Sequence, residues 1–151
     1  MAIFCPNANS YRRFQPGFFA PITPNWGPNH RNLSIRIPLS DSDNVRIEHR
    51  AAGADANPYL VMACVLAGIH CGLKNKITPP EMISEREVID PEVTLPVKWD
   101  KALDAFENAT VLNEYLGNEY SDLFLRSRRC EMDRFTSQIS NKDFEWYLRS
   151  I

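Results

Sequence analysis

The chain has 151 residues, 44% of them hydrophobic and 24% charged, with a formal net charge of −2 at pH 7. That is enough for one domain with a core and too apolar for a disordered chain. A near-neutral balance weighs against nucleic-acid binding, which at this size calls for a more basic chain mixing Lys with Arg. The sequence has neither a basic-then-apolar leader nor an apolar run of about eighteen residues, so export and membrane spanning are not expected.

Residues 1–31 are rich in Pro, Gly, Asn and aromatics, with prolines at 6, 16, 21, 24 and 28. No helical or strand period persists, so a long irregular segment is expected, and such segments are usually functional or packed against something else. Arg12 and Arg13 read by default as a solvated pair. Phe18 and Phe19 would be awkward if exposed and are expected to pack against a substrate, a partner or other parts of the protein.

The next stretch, HRNLSIRIPLSDSDNVRIEHR, is the most informative. Two short strands are expected, Asn32–Pro38 and Val45–Arg50, joined by the acidic turn Ser40-Asp41-Ser42-Asp43-Asn44. A period of two places Leu33, Ile35 and Ile37 on one face of the first strand and Arg36 on the other. In the second strand it places Val45, Ile47 and His49 opposite Arg46, Glu48 and Arg50. If the strands pair and bury their apolar faces together, Arg36 joins that charged row. Residues 1–50 hold six Arg and no Lys, a net of +3, which leaves −5 for the remainder. The planar guanidinium fork binds carboxylate or phosphate bidentately, whereas Lys offers a point charge. A single Glu among arginines suits a hard cation such as Mg or Mn that also takes phosphate oxygens. The bland alternative is a surface ion-pair ladder, at about 0–1 kcal/mol per pair.

Asn57 as N-cap with Pro58 at the first helical position predicts a helix through Tyr59–Cys71. It is apolar on almost every side and therefore expected to be buried. His70 near its end fits a dipole partner or a satisfied core histidine better than a catalyst. Cys64 and Cys71 share a face two turns apart, too far for a disulfide. Together with Cys5 and Cys130, which form no CxxC pair or zinc-like spacing, they read as reduced, buried thiols of a cytoplasmic protein.

Residues 77–97, with four prolines, read as an extended crossing segment. Helices are expected at Lys98–Ala109, with Trp99, Leu103 and Phe106 in phase, and at Val111–Leu116. A long amphipathic helix, Glu119–Ile139, follows Gly117, with Leu123, Phe124, Phe135 and Ile139 as core candidates. Its Arg126, Arg128, Arg129 and Arg134 read as a solvated face. A last helix over Asp143–Leu148, starting at Ser140 or Asn141, is expected to bury Phe144, Trp146 or Tyr147. The fold class is α+β: short antiparallel strands, then helices. An unpaired sheet edge would invite self-association into a homo-oligomer.

Three ordered motifs, NSYRRFQPG at 9–17, NHRNLSIRIP at 29–38, and RIEHR followed by GADANPYL over 46–60, resemble the glutamine synthetase family. The closing FEWYLRSI is similar to that family's C-terminal end. The resemblance implies that the chain is the C-terminal portion of the family's catalytic domain, lacking the β-grasp domain and the first part of the catalytic domain, and inactive alone. It also implies an ATP-dependent ligase that makes γ-glutamyl phosphate from glutamate and couples it to ammonia or an amine, with Mg or Mn. By position, Arg13 resembles the glutamate-contacting arginine, Arg31 the one against the transferring phosphoryl group, and Arg36 and Arg46 the nucleotide-phosphate ligands. Glu48 resembles a metal ligand and Arg50 the arginine on the substrate carboxylate or acyl phosphate.

In ammonia-using members a Glu stands where this chain has Phe19, within PGFFAP. Phenylalanine accepts no proton, so the likeness points to the γ-glutamylpolyamine branch, which uses larger amines. His30 also stands where Asn often precedes the phosphate-contacting arginine. The competing expectations are a non-catalytic remnant that binds an oxyanion or a longer homologue, and a structural domain with an incidental arginine ladder.

Overall fold

In the computed structural model, residues 1–15, 18–84 and 94–149 are described. Parts of the expected PGFFAP loop, of the 77–97 segment and of the closing FEWYLRSI therefore lie outside the described residues.

The N-terminal segment is more ordered than its composition suggested. Asn7 caps a 3-10 helix, Ala8–Arg13: its side chain accepts from the Asn9 and Ser10 amides, and the Ser10 hydroxyl accepts from the Asn7 amide. Asp55 fixes this turn from outside, accepting from Ser10 Oγ at 2.8 Å and Asn7 Nδ2 at 3.1 Å. Ala2, Ile3, Cys5 and Tyr11 are buried in the main core with Cys64, Trp99, Ala102, Leu103 and Phe106. Apolar residues too irregularly spaced to form a period thus supply one wall of that core.

The sheet has three strands, β1 (Trp26–Pro28), β2 (Ile35–Ile37) and β3 (Glu48–His49), in that order. β2 and β3 are antiparallel, pairing Arg36 with Glu48 and Ile35 with His49, whereas β1 runs parallel to β2. The strands are shorter than Asn32–Pro38 and Val45–Arg50, and β1 was not expected at all. β1 escaped the sequence because three residues, one of them Pro, carry no alternation. The expected apolar burial also divides. Leu33 is fully buried and His49 packs on Phe4, but Val45 and Ile47 are 69% and 71% exposed, so the second strand's apolar face is only partly covered. Trp26 O accepts from the Ile83 amide and Trp26 Nε1 donates to Pro80 O, so residues 80–83 lie against β1. A Cβ at Gly27 would collide with the Ile83 carbonyl, and only glycine permits that approach.

Five helices follow: α1 (Pro58–Lys74), α2 (Trp99–Glu107), α3 (Thr110–Leu116), α4 (Asn118–Thr136) and α5 (Asn141–Tyr147). Asn57 caps α1 through its Oδ1, as its sequence signature required. α1 is not buried on all sides: Cys64 and Ala67 face the core, while Tyr59, Met62, Leu66, Ile69 and Leu73 are exposed. Uniform apolarity predicted burial but could not say by what. In α4, Phe124 packs on the core, but Leu123 and Phe135 are exposed, as is Ile139, which lies past the end of the helix. Phe144, Trp146 and Tyr147 of α5 are likewise exposed, although the Ser140–Asp143 capping box marks its start.

Arg129 departs from the expected solvated face, bridging Asp104 at 3.1 Å and Glu107 at 2.5 Å to tie α4 to α2. Arg126 and Arg128 pair within α4, with Asp122 and Glu131. All four cysteines are free, but only Cys5 and Cys64 are buried, and Cys130 is exposed. His70 is exposed and satisfied, its Nδ1 lying 2.6 Å from Tyr115 Oη and linking α1 to α3. No described helix is long and apolar enough to cross a membrane.

Candidate functional site

The site grows from the β2–β3 register. Because Arg36 and Glu48 are direct cross-strand partners, both side chains leave the same face. Arg36 Nε donates to Glu48 Oε2 at 2.7 Å, and Arg36 Nη2 lies 2.6 Å from the same oxygen. Arg46 Nη2 reaches the other oxygen, Oε1, at 3.2 Å. Hydrogen bonding from Arg36 is the main cause that holds the Glu48 carboxyl below its usual range, with the charges of Arg36 and Arg46 adding and desolvation opposing. The expected row therefore exists for Arg36, Arg46 and Glu48, with one carboxylate ionised between two guanidiniums.

Arg50 continues the strand but turns toward the N-terminal segment. Its Nη2 donates to the Phe19 carbonyl at 3.1 Å, while its backbone amide holds to Ser34 O at 2.9 Å. Burial is the first cause that lowers its pKa; Arg36, Arg13 and Arg31 lower it further and Glu48 opposes. Its Nη1 is buried with no hydrogen-bond partner among the described residues, and so is Arg13 Nε. Buried donors of this kind are rare.

Arg13 ends the 3-10 helix and is not the solvated side chain of the default expectation; Arg12 beside it is exposed. Arg13 Nη2 donates to the Ala51 carbonyl, next in the chain to Arg50, and sits 3.9 Å from Cys5 Sγ. The guanidinium also lies 4.7 Å from the Phe14 ring centre. Burial pushes the Cys5 thiol up, with Arg13 opposing, so Cys5 is a packing residue and not a nucleophile.

Arg31 stands in the turn between β1 and β2, where Asn29 takes a left-handed φ of 50° that asparagine tolerates better than most residues. His30 Nδ1 accepts from the Asn32 amide at 3.2 Å, which gives that histidine a turn-forming role. The Arg31 guanidinium lies 5.5 Å from the Phe19 ring centre. Phe19, Asn29, His30, Arg31, Asn32 and Arg36 line an open cleft of about 400 Å³. Phe19 thus touches two of the arginines, one through its ring and one through its carbonyl. Sequence spacing gave no sign of that double contact, because Phe19 and Arg50 lie on different elements.

The chemistry this arrangement favours is oxyanion binding. Glu48 can offer a hard cation one carboxylate ligand. Among the described residues no group of three His, Cys, Asp or Glu gathers to complete a cage. An ion at Glu48 would have to displace a guanidinium, because Arg36 holds Oε2 and Arg46 holds Oε1.

The family model described as glutamine synthetase, catalytic domain, matches residues 1–147. The γ-glutamylputrescine synthetase of Escherichia coli is 39% identical over 150 residues, covering 99% of this chain and 32% of that protein. The γ-glutamylethanolamide synthetase of Streptomyces coelicolor is 32% identical over 148 residues, covering 97% of this chain and 31% of its own. Among solved structures, apo GmaS without ligand superposes with a TM-score of 0.81 at 28% identity, over 98% of this chain and 34% of that one. The chain spans about a third of the length of the curated relatives it matches.

Proposed function

This chain belongs to the glutamine synthetase family through its catalytic domain, and on that premise we propose that it is the carboxylate- and phosphate-handling portion of an ATP-dependent carboxylate–amine ligase. Glutamate's γ-carboxylate oxygen attacks the γ-phosphorus of ATP, ADP leaves, and γ-glutamyl phosphate forms. An amine then attacks the acyl carbon, expels phosphate and loses a proton. Arg13 and Arg50 hold the glutamate and its acyl phosphate, Arg31 faces the transferring phosphoryl group, and Arg36 and Arg46 hold nucleotide phosphates. Glu48 takes one position on Mg or Mn, and that ion, when bound, neutralises phosphate charge. Such a transfer needs little more from the protein than positioning and neutralisation of spread negative charge. The observation that carries the proposal is the Arg36–Glu48–Arg46 row beside the cleft lined by Arg31 and Arg36, with Arg50 tied to the Phe19 carbonyl.

Phe19 supports an amine larger than ammonia. It is 62% exposed at the cleft, offers an apolar face and cannot take a proton from ammonium, so an alkylamine that arrives with a methylene body suits the site better. Two of the relatives are named for such amines, putrescine and ethanolamine. The chain's working form is a homo-oligomer, and free β3 edge positions and exposed apolar residues support that.

Isothermal calorimetry tests the proposal. ATP with Mn should bind at about 1 mM or tighter, and Glu48→Ala should abolish the difference between Mn and chelator. Absence of any ATP heat at several times that concentration overturns the assignment of Arg36 and Arg46.

A further inference from the structure

The loop between β3 and α1 straps the 3-10 helix Ala8–Arg13 at two points. Asp55 Oδ2 accepts from Ser10 Oγ at 2.8 Å and from Asn7 Nδ2 at 3.1 Å, and the Ala51 carbonyl accepts from Arg13 Nη2. A 3-10 helix repeats every three residues, so Ser10 and Arg13 leave the same side of it, one turn apart. Asp55 therefore holds the side that carries the arginine. Both of its donors belong to the helix framework: Ser10 is buried, and Asn7 caps the helix through the Asn9 and Ser10 amides. A third tie, from the Gly53 amide to the Phe4 carbonyl at 2.8 Å, fixes the loop between these two points. A Cβ at Gly53 would lie 2.6 Å from Asp55 Oδ1, so glycine there leaves room for the carboxylate. The same loop begins at Arg50, directly before Ala51. One short segment thus runs from one arginine, past the anchor of a second, to the carboxylate that holds the second one's helix.

We propose that Asp55 is a positioning residue for Arg13, setting its place relative to Arg50, the other arginine that holds glutamate in the proposed ligase. Glutamate as the ligand rests on the ligase reading; the strap itself rests on hydrogen bonds. Asp55 is exposed, and its bonds go to Ser10 and Asn7 and not to either guanidinium, so it acts through the helix. An ionised carboxylate suits that task, because it accepts from two donors at once and more strongly than a neutral oxygen does. Every group in the strap lies within residues 4–55 of this chain, so the arrangement needs no other part of the fold to form.

Two readouts on the full chain test this. Calorimetry should show Asp55→Ala weakening glutamate binding about fivefold, the contribution of about one hydrogen bond. Binding of ATP with Mn should stay unchanged, because Arg36 and Arg46 lie on the β2–β3 side, away from the strap. Asp55→Asn, which keeps an accepting oxygen, should recover most of the loss. Phenylglyoxal labelling read by mass spectrometry follows the arginine without any ligand. Arg13 should react faster in Asp55→Ala and in Gly53→Ala, which crowds the carboxylate, while exposed Arg12 keeps its rate. If Asp55→Ala does not fold, Ser10→Ala removes one of the two bonds and carries the same expectations. Unchanged Arg13 labelling in these variants overturns the proposal, and so does an equal loss of glutamate and ATP binding, which marks a general structural role. A wild type with no glutamate heat overturns the assignment of Arg13 and Arg50 to glutamate, and the labelling then decides on Asp55 alone.

Discussion

Replacing Arg50 with Met separates a functional arginine from a structural one. The change keeps the aliphatic length and removes the guanidinium, which makes one bond to the Phe19 carbonyl at 3.1 Å and leaves Nη1 buried without a partner. The bond, at an exposed carbonyl, contributes about 1–2 kcal/mol, and the unsatisfied donor costs about 1–3 kcal/mol, so the two nearly cancel. Removing a cation that Arg36, Arg13 and Arg31 all disfavour moves the balance further toward the variant. Folded stability should therefore stay within about 1 kcal/mol of wild type, a melting shift of about 2–4 °C at this chain length. Ligand binding should respond quite differently. A charge-assisted contact to an oxyanion is worth about 1.5–3 kcal/mol, roughly 10- to 150-fold in Kd. Thermal unfolding with and without glutamate, ATP and Mn, paired with calorimetry, reads both quantities. A melting temperature lowered by about 10 °C or more, or an undiminished ligand-induced shift, would refute the reasoning, because Arg50 would then serve the fold and not a ligand.

Two further outcomes follow from the packing. Burial, helped by the N-terminal ammonium and Arg13, lowers the His49 pKa beneath its ordinary 6.5, with the ring set against Phe4 at 4.4 Å. The unfolded chain then binds the extra proton more readily, so this contribution is complete above pH 6.5 and is lost as pH falls through the lower folded value. Urea midpoints compared at pH 7.5 and about pH 5 should converge in His49→Gln relative to wild type, and an unchanged difference would refute the linkage. In the core, Leu103 is fully buried on α2, and Leu103→Ala should cost about 2–5 kcal/mol. Leu123→Ala, on the exposed side of α4, should cost less than about 0.5 kcal/mol in the same denaturation assay, and equal losses would contradict the assigned core.

Local rules carried the helices well. Asn57–Pro58 marked the start of α1, Trp99, Leu103 and Phe106 marked the buried side of α2, and Gly117 separated α3 from α4. Each of these signals acts within a turn or two of chain, where capping and periodicity operate. Burial was read less well, because apolarity states a preference and not a neighbour. Val45, Ile47, the outer side of α1 and the aromatic residues of α5 have the composition of core yet stand exposed. The N-terminal segment erred in the other direction, since Cys5 and Tyr11 sit in the core without any period to announce them.

Arg36, Glu48 and Arg46 shared a face by alternation alone, so that part of the site was already present in the order of residues. Arg50 belonged to the same sequence row, yet in the fold its guanidinium points to Phe19, thirty-one positions earlier in the chain. Arg13 and Arg31 stand on a 3-10 helix and beside a left-handed turn that no periodicity predicts. Sequence settled the residue types, the family and the two-residue rhythm that aligns neighbours along a strand. That Arg50 meets the Phe19 carbonyl and Arg13 the Ala51 carbonyl, and which guanidinium donors stay unpaired, was left to long-range packing, since chain closure between separate elements obeys no local rule.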